Sequence, residues 1–122
     1  MSQMLSVVIP AHNEADSIPT ALRGVYEALT REGIAHELVV VDDHCSDGTG
    51  DVVRALAADE IPTARVVVNQ GKGGFGLAVR CGLENFSGDA VAVMMADLSD
   101  SPDDLVEFWK TCLLYTSPSP RD

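Results

Sequence analysis

Four apolar runs of the sequence are each followed by polar side chains that could do chemistry. Carboxylates at such positions accept hydrogen bonds from N–H and hydroxyl groups, and they bind hard cations such as Mg²⁺ or Mn²⁺. Glycines beside them leave backbone N–H groups free to meet a phosphate. The four segments are His12-Asn13-Glu14, Asp42-Asp43, Asn69-Gln70-Gly71 and Asp97-Leu98-Ser99-Asp100.

The fourth segment has the residue types of a metal site. In an extended backbone Asp97 and Ser99 point to the same side, which would give a divalent cation two oxygen ligands beside water and diphosphate oxygens. Asp100 fits better as a cap for a helix that opens at Pro102. Because an acidic residue at the end of a core strand is costly unless it is paired or metal-bound, we predict a metal role for Asp97.

The other carboxylates are candidates for binding a ligand. Asp42 and Asp43 are adjacent, so their side chains diverge and cannot act on one atom. We expect one of them to accept from a base N–H or a ribose hydroxyl and the other to hold its loop. Glu14 could serve in the same way or could be an acid of the first helical turn. Asp47 could be a turn former only.

The glycine-rich segment Gly71–Gly76 precedes a predicted helix. Its free N–H groups could meet a phosphate, with Lys72 and Arg80 as counter-charges. The spacing is neither that of a Walker A loop nor that of a dinucleotide fingerprint, which should follow the first strand. A close strand-to-helix turn that uses glycine for backbone room explains the same residues equally well.

Apolar runs and amphipathic segments alternate along the chain up to residue 110. This alternation, with short loops, predicts an α/β, Rossmann-like, mostly parallel sheet with helices on both faces. Ligands of such sheets bind beyond the carboxyl ends of the strands, so we expect the four polar segments to meet at one edge. The predicted strands are Leu5–Pro10, Glu37–Asp42, Arg65–Asn69 and Asp89–Met95.

Capping residues predict the limits of the helices. We expect Asn13 to be the N-cap of the first helix, with Asp16 in its first turn, and Gly33 to end it after Arg31. Turn residues 46–49 precede the second helix, and the third runs through Leu83.

The composition is that of one globular domain. The 122 residues are 46% apolar, 22% charged and 5% aromatic, which is enough for a core of their own. No apolar run approaches the roughly 18 residues that span a bilayer.

The net charge of −11 argues against nucleic acid as a partner, because its phosphates require Lys and Arg. Three cysteines without CxxC spacing indicate a reducing compartment, and we expect a cytoplasmic location.

Residues 112–122 differ from the rest of the chain. They are rich in Ser and Pro and resemble the translation of a transposon-library sequencing adapter, so we interpret them as a non-native tail and residues 1–111 as part of a longer domain. A natural helix end followed by a Pro-rich linker is the alternative, because Leu105, Trp109 and Leu113 keep helical spacing.

Four motifs, in this order, resemble those of family-2 inverting glycosyltransferases, which have the GT-A fold. They are most like the branch that uses dolichol or polyprenyl phosphate. The resemblance covers residues 4–110, which correspond to the nucleotide-binding half of that family's catalytic domain. The motifs are VVIPAHNE at 7–14, VVVDD at 39–43 with SDGT at 46–49, NQGKGG at 69–74, and ADLS at 96–99.

The resemblance implies that the chain binds a nucleotide-diphosphate sugar together with Mg²⁺ or Mn²⁺. Asp97 would be the retained acid of the family's DxD-type metal motif, with Ser99 near the ion. Asp47 would hold the loop beneath the base. The residues implied to bind the nucleotide are Pro10, Ala11, Glu14, Asp42, Asp47, Gly71 and Lys72.

Three positions depart from the family pattern. His12 stands where Tyr is usual, Met95 where the first Asp of the metal motif is usual, and Ser99 where the mannosyltransferase branch often has Gln.

In the family, a cation neutralises the leaving diphosphate while a carboxylate deprotonates the acceptor, here a polyprenyl phosphate or a glycan. No catalytic base can be named in residues 1–110, so we expect weak nucleotide affinity and no transfer activity from this chain alone. Association with the cytoplasmic face of a membrane would come through parts outside it.

Two alternatives share features with this interpretation. A receiver-type phospho-signalling module also has a parallel sheet and an adjacent acidic pair, but its pair should follow the first strand, whereas Asp42 and Asp43 follow the second. A sugar-nucleotide pyrophosphorylase would need a basic, glycine-rich loop after the first strand, where this chain has Ala11-His12-Asn13-Glu14.

Overall fold

The computed structural model describes residues 3–95 and 105–110. The predicted metal residues Asp97 and Ser99, the predicted cap Asp100, the helix start at Pro102 and the tail at 112–122 lie outside the described residues. Residues 105–110 are helical. The other elements are β1 (Leu5–Ala11), α1 (Ile18–Arg31), β2 (His36–Asp42), α2 (Thr49–Asp59), β3 (Ala64–Val68), α3 (Phe75–Leu83) and β4 (Ala90–Val93).

The four strands form one parallel sheet with the order β3-β2-β1-β4. This confirms the predicted α/β, Rossmann-like fold, although β3 starts one residue earlier than predicted and β4 ends two residues earlier. The chain moves outward from β1 to β3 and then crosses to the other side of β1, so the topological switch point lies between β1 and β4. No helix among residues 3–95 and 105–110 could serve as a bilayer-crossing segment.

The start of α1 corrects one prediction. Asn13 is not the N-cap: it has a left-handed φ of 54°, and its Oδ1 accepts a hydrogen bond from the Ser46 N–H at 2.7 Å. The N-cap position belongs to Ser17, and the first turn contains no acidic residue, so Asp16 lies before the helix. The Asn13 side chain joins two loops and is therefore not available to the helix. Gly33 ends α1 as predicted, in the left-handed conformation (φ 69°) that glycine adopts without strain.

The sheet face that carries α1 and α2 holds the larger core. Odd-numbered residues of β1 and even-numbered residues of β2 point to it, because side chains alternate along a strand. They pack against the apolar stripes of both helices and against residues 105–110. The largest fully buried side chains of this core include Leu5, Ile9, Ile18, Leu22, Leu29 and Leu38.

The opposite face is covered by α3 and has a smaller core. Val8, Val39 and Val41 pack there against Ala78. The helix lies very close to the sheet at Gly82, where a Cβ atom would be 2.3 Å from Cγ1 of Val8. Large apolar side chains in and near α3 and at the ends of β3 and β4 remain exposed. They are Val68, Phe75, Leu77, Leu83 and Val93.

A buried carboxylate ties the strands together at the amino end of the sheet. Oε2 of Glu37 accepts hydrogen bonds from Oγ of Ser6 and from the Ser87 N–H, both at 2.6 Å, and Oε1 accepts from Nε of Arg65 at 3.1 Å. Burial alone would raise the pKa of Glu37, but these hydrogen bonds and the Arg65 charge outweigh it and hold the pKa below its ordinary value. This network lies at the end of the sheet away from the polar strand ends, so its role is structural.

Candidate functional site

A cavity of about 270 Å³ opens at the carboxyl ends of β1 and β2, beside the start of α3. Strand alternation directs Pro10 and Asp43 to the α3 face of the sheet, as it does Val8 and Val41. Segments that follow β1, β2 and β4 thus meet at one edge, next to the switch point where sheets of this topology bind ligands. The cavity is lined by Pro10, Ala11, His12, Glu14, Asp43, Gly74, Phe75, Ala78 and Met95.

The two adjacent aspartates point to opposite faces of the sheet. Asp43 is only 6% exposed and lines the cavity. Asp42 faces α2: its Oδ2 would be 2.8 Å from a Cβ atom at Gly50, and its Oδ1 accepts from the Cys45 N–H at 2.9 Å. The carboxylate that lines the cavity is therefore that of Asp43, whereas Asp42, which the resemblance implies as a nucleotide-binding residue, lies on the other face of the sheet. The opposed directions also prevent the pair from binding one cation, as a receiver-type module would require.

The Asp43 carboxylate is held by the glycine-rich segment. Its Oδ1 accepts a hydrogen bond from Nδ2 of Asn69 at 3.0 Å, and its Oδ2 accepts one from the Gly74 N–H at 3.1 Å. Each oxygen keeps a second lone pair that a ligand can use. The cavity wall therefore carries a hydrogen-bond acceptor of fixed direction. Asn69, which is itself buried, was predicted to lie at the polar edge of the sheet but was not among the residues implied to bind the nucleotide.

Gly71 and Lys72, the predicted phosphate-binding residues, lie on the outer side of this segment. They line a second cavity of about 440 Å³ together with Arg80. The Gly71 carbonyl oxygen is 2.7 Å from Nε2 of His44, and Arg80 forms an ion pair with Glu84 at 3.4 Å. Among the residues that line the two cavities, Lys72 belongs to the second and not to the first.

Asp47 joins the β1–α1 loop to the β2–α2 loop. Its Oδ2 accepts from the Ala15 N–H at 3.0 Å, and its Oδ1 accepts from the N–H and the hydroxyl of Thr49. The Thr49 hydroxyl in turn accepts from the Glu14 N–H at 3.0 Å. The bond from the Thr49 hydroxyl, together with backbone N–H groups, holds the pKa of Asp47 below its ordinary value in spite of desolvation. The backbone of Glu14 at the cavity rim is fixed by this network.

Cys45 lies at the same junction of loops. Its Sγ donates to the Ala11 carbonyl oxygen at 3.3 Å and accepts from the Asn13 N–H at 3.2 Å. Burial raises the pKa of this thiol, so it stays protonated at neutral pH and packs between the loops. A protonated thiol is a poor nucleophile, and Cys45 is therefore not a candidate catalytic group.

A divalent cation would need ligands beyond those the structure describes. In residues 3–95 and 105–110, no group of three or more His, Cys, Asp or Glu side chains is arranged to hold a metal ion. Met95 lines the cavity, and a thioether is a poor ligand for Mg²⁺ or Mn²⁺. The oxygen ligands predicted from the sequence, Asp97 and Ser99, lie outside the described residues, so their metal role stays a prediction.

The sequence matches a known family and several enzymes. The family model described as glycosyl transferase family 2 matches residues 6–112. The undecaprenyl-phosphate 4-deoxy-4-formamido-L-arabinose transferase of Pseudomonas fluorescens is 33% identical over 104 residues, and that of Edwardsiella ictaluri is 35% identical over 106 residues. Each alignment covers 84% of this chain, which spans 30% and 32% of the two relatives.

The fold also matches solved structures. The mannosyltransferase PcManGT from Pyrobaculum calidifontis, in complex with GDP-Man and Mn²⁺, has a TM-score of 0.76 and 29% identity, and the match covers 92% of this chain and 33% of that one. Glucosyl-3-phosphoglycerate synthase from Mycobacterium tuberculosis, in complex with Mn²⁺ and UDP-glucose, has a TM-score of 0.69 and 27% identity, with 95% and 40% of the two chains covered.

Proposed function

The chain belongs to glycosyl transferase family 2, and from that premise we propose that it binds a nucleotide-diphosphate sugar in the cavity at the ends of β1 and β2. The observation that carries this proposal is the Asp43 carboxylate, which is buried, lines the cavity and is fixed in direction by two hydrogen bonds. Nucleotide bases carry N–H donors in the ring plane, and an oriented carboxylate is a strong acceptor for them.

The other lining residues suit the rest of a nucleoside. Pro10 offers apolar surface to a base, Ala11 lines the cavity at the end of β1, and the exposed His12 ring offers a face on which a base could stack. Glu14, whose backbone is fixed by Thr49, would accept from ribose hydroxyls. Asp42 and Asp47 would support this site through the loops after β2.

The diphosphate would lie near Gly71 and Lys72. Asp97 and Ser99 would hold Mg²⁺ or Mn²⁺, and the bound cation would neutralise charge on the leaving diphosphate. The two enzymes of similar fold were solved with Mn²⁺ and a nucleotide sugar, which supports this assignment. Lys72 would add a positive charge of its own.

We further propose that the complete protein transfers the sugar with inversion to a polyprenyl phosphate. The arabinose-derivative transferases to which the chain is similar are named for undecaprenyl phosphate, and this supports a lipid phosphate over a glycan. The catalytic base cannot be assigned to any described residue. We therefore expect nucleotide binding by this chain without sugar transfer.

Isothermal titration calorimetry with UDP, GDP and dTDP, each with and without Mn²⁺, tests the proposal. We expect one nucleotide to bind most tightly, Mn²⁺ to strengthen it, and Asp97→Asn to remove the Mn²⁺ effect. Asp43→Asn should weaken binding by about tenfold or more, since it removes a charged acceptor worth about 1.5–3 kcal/mol. The matched control is Asp51→Asn, an exposed position in α2 that pairs with Arg54. The proposal would be contradicted if all three nucleotides bound with equal affinity and if neither Mn²⁺ nor Asp43→Asn changed that affinity.

A further inference from the structure

We propose that Asn69 is a positioning residue of the donor site, which fixes the turn at residues 71–74 and the direction of the Asp43 carboxylate at the same time. This inference rests on the proposed function, because a nucleotide sugar is the ligand that the positioned groups would meet. Nothing in the residue type alone marks Asn69 for this role. The role is indicated by the hydrogen bonds of its side chain to two separate segments, Asp43 and residues 71–72.

Both the nitrogen and the oxygen of the Asn69 side-chain amide form hydrogen bonds. Nδ2 donates to Oδ1 of Asp43 at 3.0 Å and to the Lys72 carbonyl oxygen at 3.1 Å, and Oδ1 accepts from the Gly71 N–H at 3.3 Å. Both amide protons are thereby committed. The Asn69 N–H donates to the Asp42 carbonyl oxygen at 3.0 Å. The residue is thus fixed to the sheet and is only 7% exposed.

The glycine-rich turn has little else to hold it. Residues 71–74 are all exposed, so apolar burial contributes little to their conformation. Their shape depends on hydrogen bonds to Asn69, to Asp43 and to His44, whose Nε2 lies 2.7 Å from the Gly71 carbonyl oxygen. Loss of the Asn69 amide would release the turn at two points and leave the Asp43 carboxylate held only by the Gly74 N–H of that same turn.

The chemistry at position 69 requires an amide. An ionised aspartate has nearly the same shape, but it has no proton to donate and would place a second carboxylate beside Asp43. An alanine removes the bonds without adding charge. If Asn69 merely filled space, aspartate would be tolerated better than alanine. A positioning role predicts the opposite order.

Amide hydrogen exchange measured by NMR on the full ¹⁵N-labelled chain tests the inference without any ligand. In Asn69→Asp we expect the Gly74 N–H to exchange about tenfold faster or more, since the loss of a hydrogen bond to a charged group is of that size. Asn69→Ala should give a smaller increase. The core N–H of Leu38 should keep its rate, and Asn85→Asp, the same change at an exposed site, should leave both rates unchanged.

Calorimetry on the same variants, with UDP and GDP as probes, tests the consequence for the site. We expect Asn69→Asp to weaken the better nucleotide by about tenfold or more, and the exchanged pair Asp43→Asn with Asn69→Asp to recover part of the Gly74 protection, because it restores one donor and one acceptor. An unchanged Gly74 rate in Asn69→Asp would overturn the inference. So would equal acceleration of Gly74 and Leu38, which would indicate a loss of global stability alone. Failure of the unsubstituted chain to bind any nucleotide would instead count against the proposed function, and the exchange rates would still decide the role of Asn69.

Discussion

The two faces of the sheet are built differently. On one face α1, α2 and residues 105–110 cover large side chains such as Leu22 and Leu38, which are fully buried. On the other face α3 packs through small residues, and Phe75 and Leu77 remain 56% and 40% exposed. The first face resembles the core of any stable α/β domain, in which branched side chains interdigitate at high density.

The candidate site lies on the second face, and the contrast explains why. Ala78 and Gly74 leave room for a cavity where a larger side chain would fill it, and strand alternation directs Asp43 into that space. We infer that the α1/α2 face supplies most of the stability and that the α3 face supplies most of the binding surface. Substitutions on the α1/α2 face should therefore lower stability strongly, whereas substitutions on the α3 face should change ligand binding more than stability.

The largest expected effect is on the α1/α2 face. Leu22→Ala should lower the free energy of unfolding by about 2–5 kcal/mol, because it leaves a cavity among fully buried neighbours. Leu77→Ala, the same change on the half-covered α3 face, should cost about 0.5 kcal/mol or less. Urea unfolding followed by circular dichroism measures both. Equal losses would show that the faces do not differ in this way.

The next largest effect is expected within α3 itself. Gly82→Ala should cost about 1–3 kcal/mol, since its Cβ atom would collide with Val8 and force the helix away from the sheet. Gly76→Ala meets no atom within 4 Å and should be neutral or raise the stability by up to about 1 kcal/mol. The same urea titration measures both variants. A cost for Gly76→Ala as large as that for Gly82→Ala would mean that close packing does not hold α3 in place.

Much of this architecture could be predicted from the sequence, because it depends on local patterns. Runs of β-branched residues and helical spacing identify every described strand and helix. The sequence could also have predicted that Asp43, and not Asp42, lines the cavity. Asp43 has the same parity as Val39 and Val41, and a crossover that returns past β1 must place its helix opposite α1.

The errors concern residues whose roles depend on distant partners. Asn13 has the residue type and the place of a helix cap, but its side chain bonds to Ser46, 33 positions away. Asn69 was predicted only as the polar end of the third strand, and the sequence does not show its bond to Asp43, 26 positions away. Hydrophobic periodicity does not contain information on such contacts. A cluster of polar residues at one edge of the sheet could therefore be predicted, but the specific hydrogen bonds around the cavity could not.

A smaller effect is expected at the amino end of the sheet, where a substitution should change stability but not nucleotide binding. Glu37→Gln should cost about 1–3 kcal/mol near neutral pH, because it removes the charge that Ser6, Ser87 and Arg65 satisfy. The folded-state pKa of Glu37 is below its ordinary value of 4.5. Its contribution is therefore fully present above pH 4.5 and is lost as the pH falls through the lowered value.

The corresponding measurement is urea unfolding of both proteins from neutral pH down to the acid limit. The difference between Glu37→Gln and the unsubstituted chain should shrink in that acid range, and nucleotide affinity at neutral pH should stay unchanged. Glu84→Gln, in an exposed pair with Arg80, is the control and should change stability little at any pH. A constant difference across the titration would show that the Glu37 charge does not contribute.

The smallest expected effect concerns the α1/α2 face once more. Arg23 binds Glu60 through two hydrogen bonds of 2.9 and 2.8 Å that link the end of α2 to α1, and this contact lowers the pKa of Glu60. The two side chains are 48% and 42% exposed, so water and salt screen the pair, and the buried core beneath it already holds the helices together. Arg23→Gln should therefore shift the urea midpoint less than Glu37→Gln, and the shift should vanish near about 1 M NaCl, where the screening length is about 3 Å. Arg54→Gln, which breaks a pair within α2 alone, is the matched control. A midpoint shift for Arg23→Gln as large as that for Leu22→Ala would mean that surface charge and not apolar burial holds this face closed.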